Sequence, residues 1–386
     1  MKTVASEDSG CGCIPKGDGG FILWLRTHAF RALKRMYRPE ERLFVFRLRQ
    51  TQNGIVSEGL SRRYSSIALI GLANEEEGEV SAVLNGHGLH EVCSRLMKDM
   101  SSITNLGDVA LTLWAACAID YENREPAWNR LLELRPLDTP QATVELAWAV
   151  AALSIDQNAP HSELRSALAD RLVSSFNRRS SMFPHTVGEG RGLRSHVSCF
   201  ADLVYPIHAL VHYYEVSNDR RALDVSVQCA EKICQLQGLA GQWWWHYDHR
   251  TGEVIEPYPV YAIHQDAMAP MSLVALRDTG GPDHTAEIGK GLAWLAHAPE
   301  LQGKSLIDTE NDLVWRKVAR HEPRKLVRYI KGISSRVHPN LRIPGLDVFF
   351  PPGTIDYEDR PYHLGWLLYA WPRWRLERSG GKARAI

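Results

Sequence analysis

The stretch Gln237-Gly-Leu-Ala-Gly-Gln-Trp-Trp-Trp-His-Tyr-Asp248 decides the fold, and the chain continues from it to the triplet His264-Gln-Asp266. It joins an amphipathic segment, 219–236, to a strongly apolar one that begins at Asp266. Three successive indoles cannot point in one direction from a strand or a helix. We therefore expect at least one of them to leave the core, and the stretch predicts both a junction between helices and a candidate site.

The same alternation of amphipathic and apolar segments runs along the rest of the chain, without a convincing run of strands. Six segments are apolar around the whole helical circumference, which predicts burial on every side. They are residues 63–73, 107–119, 142–154, 201–214, 266–277 and 362–371. Amphipathic segments stand between them, at 21–37, 86–99, 126–134, 161–176, 219–236 and 285–297. Six inner and six outer helices predict an all-α (α/α)6 toroid.

The irregular segments are unevenly placed along this pattern. Residues 177–198, 238–262 and about 299–360 are long insertions, and each precedes an inner segment. They should therefore lie on one rim of the toroid, together with the N-termini of the inner helices, whose exposed N–H groups favour polar and anionic ligands. Loops on a rigid scaffold commonly carry function, so we expect the substrate site at this rim.

Length and charge place further limits on the protein. The 386 residues predict one toroid domain over 21–376, with disordered tails at 1–20 and 377–386. Because 45 basic residues balance 45 acidic ones, no global field attracts nucleic acid, which we exclude as a partner. No leader or spanning segment is apparent, which favours a cytoplasmic protein. Residues 21–37 are basic and amphipathic, which fits an outer helix or, alternatively, peripheral contact with a membrane. The oligomeric state is left open.

Gln237, Gly241 and Trp243 match the Gln-x-x-x-Gly-x-Trp repeat, and in this the chain resembles squalene, oxidosqualene and related terpenoid cyclases. The toroids of these enzymes resemble those of protein prenyltransferase β subunits. The resemblance implies a helical toroid over about residues 60–376, and a structural motif in which the glutamine ties a neighbouring helix end and the tryptophan stacks on it. One clean copy of the repeat is found.

A second motif, Asp356-Tyr-Glu358-Asp359, resembles the Asp-x-Asp-Asp acid motif of class II terpenoid cyclases. The resemblance implies that Glu358, in the third position, protonates an alkene or epoxide. Adjacent carboxylates raise one another's pKa, which would help to keep such an acid neutral. The sequence departs from the family in having Glu at this position and in lacking a second helical domain. A solvated acidic loop before the last helix is the alternative.

The candidate site residues stand just before the inner segments, in their first turns, or in the loops that lead to them. The resemblance implies an acid role for Asp356, Glu358 and Asp359, whereas His264, Asp266 and His363 are predicted to act as acids and bases because an apolar setting would shift their pKa. Those predicted to bind substrate are Arg63, Tyr64, His185, Asp202, Tyr205, Trp244, Trp245, Tyr258, Tyr261 and Tyr362. Asn105 and Asp108 have the pattern of helix caps.

The seven cysteines are odd in number and lie mostly in helix-like runs, so we expect reduced thiols. The prenyltransferase resemblance would imply a zinc site of Asp, Cys and His. Cys199 and Asp202 are the nearest pair, but their spacing does not match that site. Cys11 and Cys13 in the N-terminal tail are another metal or redox candidate. We predict neither a metal nor a cofactor.

Three functions fit these observations. The first is a terpenoid-cyclase-like or prenyltransferase-like enzyme in which an acid starts chemistry on an isoprenoid, within an apolar and aromatic cavity. The alternative is a six-hairpin glycan enzyme, a hydrolase, lyase or epimerase, that pairs Asp266 with Asp356 or Glu358 in a polar cleft. Indoles would serve both, since they stack on sugars and stabilise cations. The third is a toroidal scaffold without activity.

Overall fold

The computed structural model describes residues 18–156, 161–188, 193–322, 326–337 and 346–376. Cys11, Cys13 and the predicted tails, apart from 18–20, lie outside these residues. The helices are α1 (Asp18–Met36), α2 (Arg62–Leu72), α3 (Glu77–Val83), α4 (Leu89–Met97), α5 (Leu106–Ala118), α6 (Glu125–Glu133), α7 (Thr143–Ile155), α8 (Ser162–Ser175), α9 (Ala201–Ser217), α10 (Arg220–Gln235), α11 (Ala269–Asp278), α12 (Thr285–Ala296), α13 (Leu326–Val337), α14 (Leu346–Phe349) and α15 (Pro361–Ala370). A π-helical turn, His264–Met268, runs directly into α11.

Short strands lie between the helices. They are β1 (Tyr37–Arg38), β2 (Leu43–Thr51), β3 (Gly54–Leu60), β4 (Gln141–Ala142), β5 (Thr186–Val187), β6 (Val197–Cys199), β7 (His246–Asp248), β8 (Glu253–Glu256), β9 (Val260–Tyr261), β10 (Ile307–Asp308), β11 (Leu313–Val314), β12 (Lys317–Arg320), β13 (Pro352–Asp356) and β14 (Glu358–Asp359). The sheets are small, with orders that include β6-β7-β8 and β9-β12-β13.

The apolar segments form a closed inner ring. Around it, α2 packs on α5, α5 on α7, α7 on α9, α9 on α11, and α15 packs on both α11 and α2. The amphipathic helices α1, α4, α6, α8, α10 and α12 pack on the outside of this ring. The predicted (α/α)6 toroid is confirmed, and the inner helices are apolar on all sides because both the lumen and the outer helices cover them.

Two glycines allow the first and last inner helices to close the ring. A Cβ atom on Gly71 of α2 would lie 2.2 Å from the carbonyl oxygen of Gly365 in α15. In the reverse direction, a Cβ on Gly365 would lie 2.5 Å from the carbonyl oxygen of Ile67. Both distances are far shorter than a van der Waals contact, so this close approach of α2 and α15 requires glycine at both positions.

Aromatic side chains fill the lumen of the toroid. Trp148 packs on Tyr205, Tyr205 on Trp366, Trp366 on Trp114, and Trp114 on His208, with ring centroids 5.1, 5.8, 5.2 and 5.4 Å apart. These are contact distances between aromatic rings. The plug separates the end of the ring where the inner helices begin, which we call the N-terminal rim, from the end where they stop.

The stretch 237–243 is a structural clamp between two outer helices. The Gln237 side chain donates to the carbonyl of Glu287 in the first turn of α12, at 2.8 Å. Gly241 has φ +100°, and a Cβ there would lie 2.0 Å from the carbonyl oxygen of Lys290. Trp243 is completely buried. The first indole of the three therefore belongs to the core, and the stretch fixes the end of α10 against α12.

The hairpin β2–β3 is an element that the sequence analysis did not predict. Its strands pair from Val45 with Leu60 to Thr51 with Gly54, and β2 also pairs with β14. Asn53-Gly54 is a strong hairpin turn sequence that follows an alternating apolar run, so the pattern was present in the sequence. Because β3 leads into α2 and β14 into α15, the hairpin adds an ordered wall to the N-terminal rim.

The basic segment 21–37 lies in α1. Its apolar residues Leu25, Ala29 and Leu33 are buried, and the helix packs on α15, as predicted for an outer helix. The face that a membrane-surface helix would insert is therefore covered by the protein, although Leu23 is 54% exposed. None of the described helices combines the length and the apolarity required to cross a bilayer.

Candidate functional site at the N-terminal rim

Arg63, in the first turn of α2, links the first three inner helices at the rim. Its guanidinium donates to Asp108 at 2.6 Å, to Asn105 at 2.5 Å and to Glu145 at 3.2 Å. The Asn105 side chain accepts from the backbone N–H of Asp108 at 3.0 Å, which confirms the predicted N-cap. Arg63 also lies over the Trp148 ring, 5.4 Å from its centroid. Arg63 is therefore fixed above the aromatic plug.

An aromatic stack lies beside Arg63, where α2 meets α15. Tyr64 stacks on Tyr362 with ring centroids 4.7 Å apart, and Phe46 of β2 stacks on Tyr64 at 5.3 Å. The Arg360 guanidinium donates to the hydroxyl of Tyr64 at 3.0 Å. Two predicted binding residues, Tyr64 and Tyr362, are therefore brought together, although they are distant in the sequence.

The predicted acid Glu358 is surrounded by guanidinium groups. It forms salt bridges with Arg47, with Arg360 at 2.7 Å and with Arg316 at 3.5 Å. Such a carboxylate is engaged by cations, whereas protonation of an alkene requires a neutral acid that faces the substrate.

Asp356, at the other end of the same motif, contacts Lys317 at 2.5 Å and Arg316 at 3.5 Å. Burial alone would raise the pKa of Asp356, but the hydrogen bond and the charge of Lys317 outweigh it, and the pKa is lowered. Asp356 is therefore an ionised partner of these two cations.

Asp359 is the member of the motif with a raised pKa. It is only 1% exposed, and burial raises its pKa to about 6 despite the opposing effect of His363. One of its oxygens accepts from the backbone N–H of Arg360 at 2.7 Å. Asp359 is thus a buried carboxyl group that exchanges its proton near neutral pH.

Beside Asp359 lies a buried carboxylate–imidazole pair. Nε2 of His363 is 2.9 Å from each carboxylate oxygen of Asp266. Burial would lower the pKa of His363, but the charge and the hydrogen bond of Asp266, together with the charge of Asp359, outweigh it, and the pKa is raised. The indole N–H of Trp371 donates to the backbone carbonyl of Asp266 at 2.6 Å and so holds the π-helical turn against the end of α15.

His264 has the opposite electrostatic setting. Burial lowers its pKa to about 3, so its imidazole is neutral at physiological pH. Trp245 stacks on it, with centroids 5.6 Å apart and planes 13° apart, and Tyr261 packs on Trp245 at 4.6 Å. Arg316 lies 5.2 Å from the centroid of Tyr261. The packed rings of His264, Trp245 and Tyr261 thus run from the buried imidazole to the charged Arg316 at the rim.

The remaining predicted binding residues lie elsewhere. Tyr205 belongs to the lumen plug, where burial raises its pKa well above its ordinary value. Tyr258 donates to Glu300 at 3.0 Å and packs edge-on with Trp244, so these two residues form a separate cluster near the C-terminal end of α12.

His185 and Asp202, the latter in the first turn of α9, form a pair of their own. Nδ1 of His185 lies 2.9 Å from Oδ2 of Asp202. The hydrogen bond and the charge of Asp202 raise the pKa of His185. Glu189 and Arg191, in the same predicted rim loop, are not among the described residues.

Several residues of the rim were missed by the sequence analysis, namely Arg47, Arg316, Lys317 and Arg360. Arg316 and Lys317 follow a buried apolar run in the long insertion, and Arg360 directly precedes an inner helix. These three basic residues therefore had one indication in common, a position next to a buried apolar segment. Arg47 depends on the hairpin, which was not predicted.

A cavity of about 1180 Å³ opens at the opposite end of the toroid. His208, His212 and Glu215 of α9 line it, together with Tyr369 and Arg375 near the end of α15. It lies beyond the lumen plug, where the inner helices end, and is distinct from the N-terminal rim.

Comparison with solved structures shows proteins that share this fold. No protein-family model and no curated protein sequence matches the chain. Among solved structures, it is similar to an unsaturated glucuronyl hydrolase specific for heparin, with TM-score 0.60 and 11% identity over 94% of this chain and 98% of that one. It is similar to a possible member of the GH105 family from Salmonella enterica, with TM-score 0.58 and 10% identity over 98% and 100% of the two chains. A cellobiose 2-epimerase from Bacillus thermoamylovorans gives TM-score 0.58 and 10% identity over 93% and 99%.

These similarities correct the predicted family. The resemblance to terpenoid cyclases and prenyltransferases was wrong, because the structural neighbours are toroidal glycan enzymes. The geometry gives the physical reason, since the Gln237–Trp243 motif is a helix clamp that any toroid of this kind can use. Glu358 is enclosed by arginines, and the aromatic groups of the lumen pack on one another.

Proposed function

We propose that the protein is a glycan-active enzyme that binds its substrate at the N-terminal rim. The observation that carries this proposal is the chemistry of the rim, where guanidinium groups and carboxylates alternate around a few aromatic faces. Arg316, Arg360, Tyr64 and Trp245 are half-buried there. Sugars present hydroxyl groups for such donors and acceptors, and flat C–H faces for aromatic rings. The hydrocarbon of an isoprenoid offers no hydrogen-bonding groups to these charged side chains and would remove them from water.

We assign proton transfer to three buried residues that lie below these side chains, namely Asp359, Asp266 and His363. Asp359 has a pKa of about 6, and the neighbouring Asp266–His363 pair can hold a further proton. A group whose pKa lies near the working pH is effective in general acid–base catalysis. His264 is neutral and is buried close to His363, and its imidazole can donate or accept a hydrogen bond.

The solved structures support the same substrate class. The names of the similar proteins describe a glucuronyl hydrolase and a cellobiose epimerase. Hydrolysis and epimerisation both depend on positioned acids and bases, which the rim supplies. We infer an oligosaccharide substrate, with its reactive sugar between the Tyr64–Tyr362 stack and Trp245.

Incubation with a panel of neutral and uronic-acid oligosaccharides tests the proposal. The reactions are followed by NMR in D₂O, where a new reducing end reports hydrolysis, deuterium on a ring carbon reports epimerisation, and a new vinyl proton signal reports elimination. We expect turnover of at least one sugar, and a loss of about 10²–10⁴-fold in Asp359→Asn. His212→Gln, which changes the opposite cavity, is the matched control and should keep its activity.

Two results would overturn the proposal. Turnover of squalene or an isoprenoid diphosphate with none of any sugar would reverse the substrate class. Binding of a sugar without turnover would favour the toroidal scaffold. Unchanged turnover in Asp359→Asn would remove the assignment of this acid while leaving the substrate class intact.

A further inference from the structure

We propose that His185, Cys199 and Asp202 form a binding site for a divalent metal ion of the zinc class. The three side chains come from separate segments, namely the turn before β5, the end of β6 and the first turn of α9. One imidazole nitrogen, the thiol sulfur and a carboxylate oxygen all lie within 4.8 Å of one another. A tetrahedral zinc site with bonds of about 2.0–2.3 Å places its ligand atoms roughly 3–4 Å apart, so small side-chain movements suffice.

A second observation points to a ligand at this place. Asp202 is completely buried, and within the described part of the chain its Oδ1 atom has no hydrogen-bond partner. Its other oxygen, Oδ2, accepts from the backbone N–H of Cys199 at 2.7 Å and lies beside His185. Leaving a buried carboxylate oxygen without a partner is costly, and a cation would satisfy it.

The backbone around the three side chains is fixed by hydrogen bonds. The carbonyl of His185 accepts from the backbone N–H of Thr143, at the start of α7, at 3.0 Å. Ser198, next to Cys199, donates through its hydroxyl to the carbonyl of Phe183 at 2.6 Å. Such support holds the ligands in place before the metal arrives, as in natural metal sites.

The donor set selects the class of metal. A thiolate and an imidazole favour zinc over magnesium or calcium, which prefer oxygen ligands. Three protein ligands leave one tetrahedral position for water or substrate. Because His185 is exposed, that position can open toward the rim. The sequence analysis set Cys199 and Asp202 aside on their spacing, because it did not bring His185, 14 residues before Cys199, to the same place.

Two other groups could bind the same metal and must be separated from it. Cys11 and Cys13 offer two thiols in the N-terminal segment. The Nε2 atoms of His208 and His212 lie 3.2 Å apart beside the opposite cavity. The experiment therefore uses untagged full-length protein carrying Cys11→Ser and Cys13→Ser as its background, with His212→Gln as the matched control.

Cobalt(II) is the probe, because a thiolate ligand produces a charge-transfer absorption band and a tetrahedral site produces intense d–d bands. We expect one equivalent of Co²⁺ to bind with both features and to be displaced by Zn²⁺. Cys199→Ser should lose the charge-transfer band. His185→Ala, which changes an exposed side chain and should fold normally, should bind at least tenfold more weakly. His212→Gln should be unchanged.

The proposal is wrong if the charge-transfer band persists in Cys199→Ser, or if His212→Gln rather than His185→Ala loses the metal. Absence of a band in the background protein also overturns it. Sugar turnover does not enter this test, so a failed metal site and a failed glycan activity are distinguishable.

Discussion

At the scale of single residues, the acidic motif shows how neighbouring carboxylates come to differ. Glu358 and Asp359 are adjacent, yet one side chain meets guanidinium groups and the other is buried beside Asp266 and His363. Successive side chains of a strand point to opposite faces, so Glu358 and Asp359 of β14 point in opposite directions. The resemblance implied an acid at the third position of the motif, Glu358, whereas burial raises the pKa at the fourth position, Asp359.

Asp359 should make stability depend on pH. The unfolded chain loses this proton near the ordinary value of 3.8, whereas the folded protein holds it to about 6, so native stability falls as pH rises between these values. Asp359→Asn should remove the effect and gain about 3 kcal/mol relative to wild type between pH 4 and 7, at 1.36 kcal/mol per pKa unit. Urea unfolding across this range measures the gain, and a difference independent of pH would refute the assignment.

The two histidines His185 and His264 should titrate differently. Pairing with Asp202 raises the pKa of His185, whereas burial lowers that of His264 to about 3. In metal-free protein treated with chelator, NMR should show the His185 ring titrating above its ordinary pKa of 6.5, while the His264 ring stays neutral across physiological pH. Titration of His264 near 6.5 would show that it is solvated and contradict its place under Trp245.

At the scale of elements, the contact of α2 with α15 closes the ring through Gly71 and Gly365. Gly365→Ala would drive a Cβ atom into the backbone at Ile67 and should destabilise the protein by about 3 kcal/mol or more. Gly78→Ala, in α3, is the matched control because its Cβ meets nothing within 4 Å. The control should change stability by less than about 1 kcal/mol. Equal effects of the two substitutions on the urea midpoint would contradict the close contact.

The helices could be predicted from the sequence more fully than the hairpin or the contacts at the rim. The helices of both rings were predictable, because a helix buried on all sides and a helix buried on one face leave different apolar patterns. The hairpin β2–β3 was not predicted although Asn53-Gly54 marks its turn, because helical patterns dominate the rest of the chain. The rim cations Arg316 and Arg360 could not be placed, because their contacts join segments that are distant in the sequence. The aromatic stack of Tyr64 on Tyr362 depends in the same way on closure of the ring.

At the scale of the whole molecule, the toroid has two openings separated by its aromatic plug. The rim gathers charged and aromatic groups from the loops, while the opposite cavity is lined by His208, His212 and Glu215. We assign the glycan to the rim, because the buried residues to which we assign proton transfer, Asp359, Asp266 and His363, lie at that end of the ring. The size of the opposite cavity alone does not identify a substrate site.

The most direct test of this assignment is the localisation of sugar binding by saturation-transfer NMR. The oligosaccharide panel is measured with wild type, with Trp245→Ala at the rim and with His212→Gln in the opposite cavity. The account predicts that a sugar bound by wild type loses its saturation transfer in Trp245→Ala and keeps it in His212→Gln. Loss in His212→Gln with full retention in Trp245→Ala would place the glycan at the other end of the toroid and contradict the central claim.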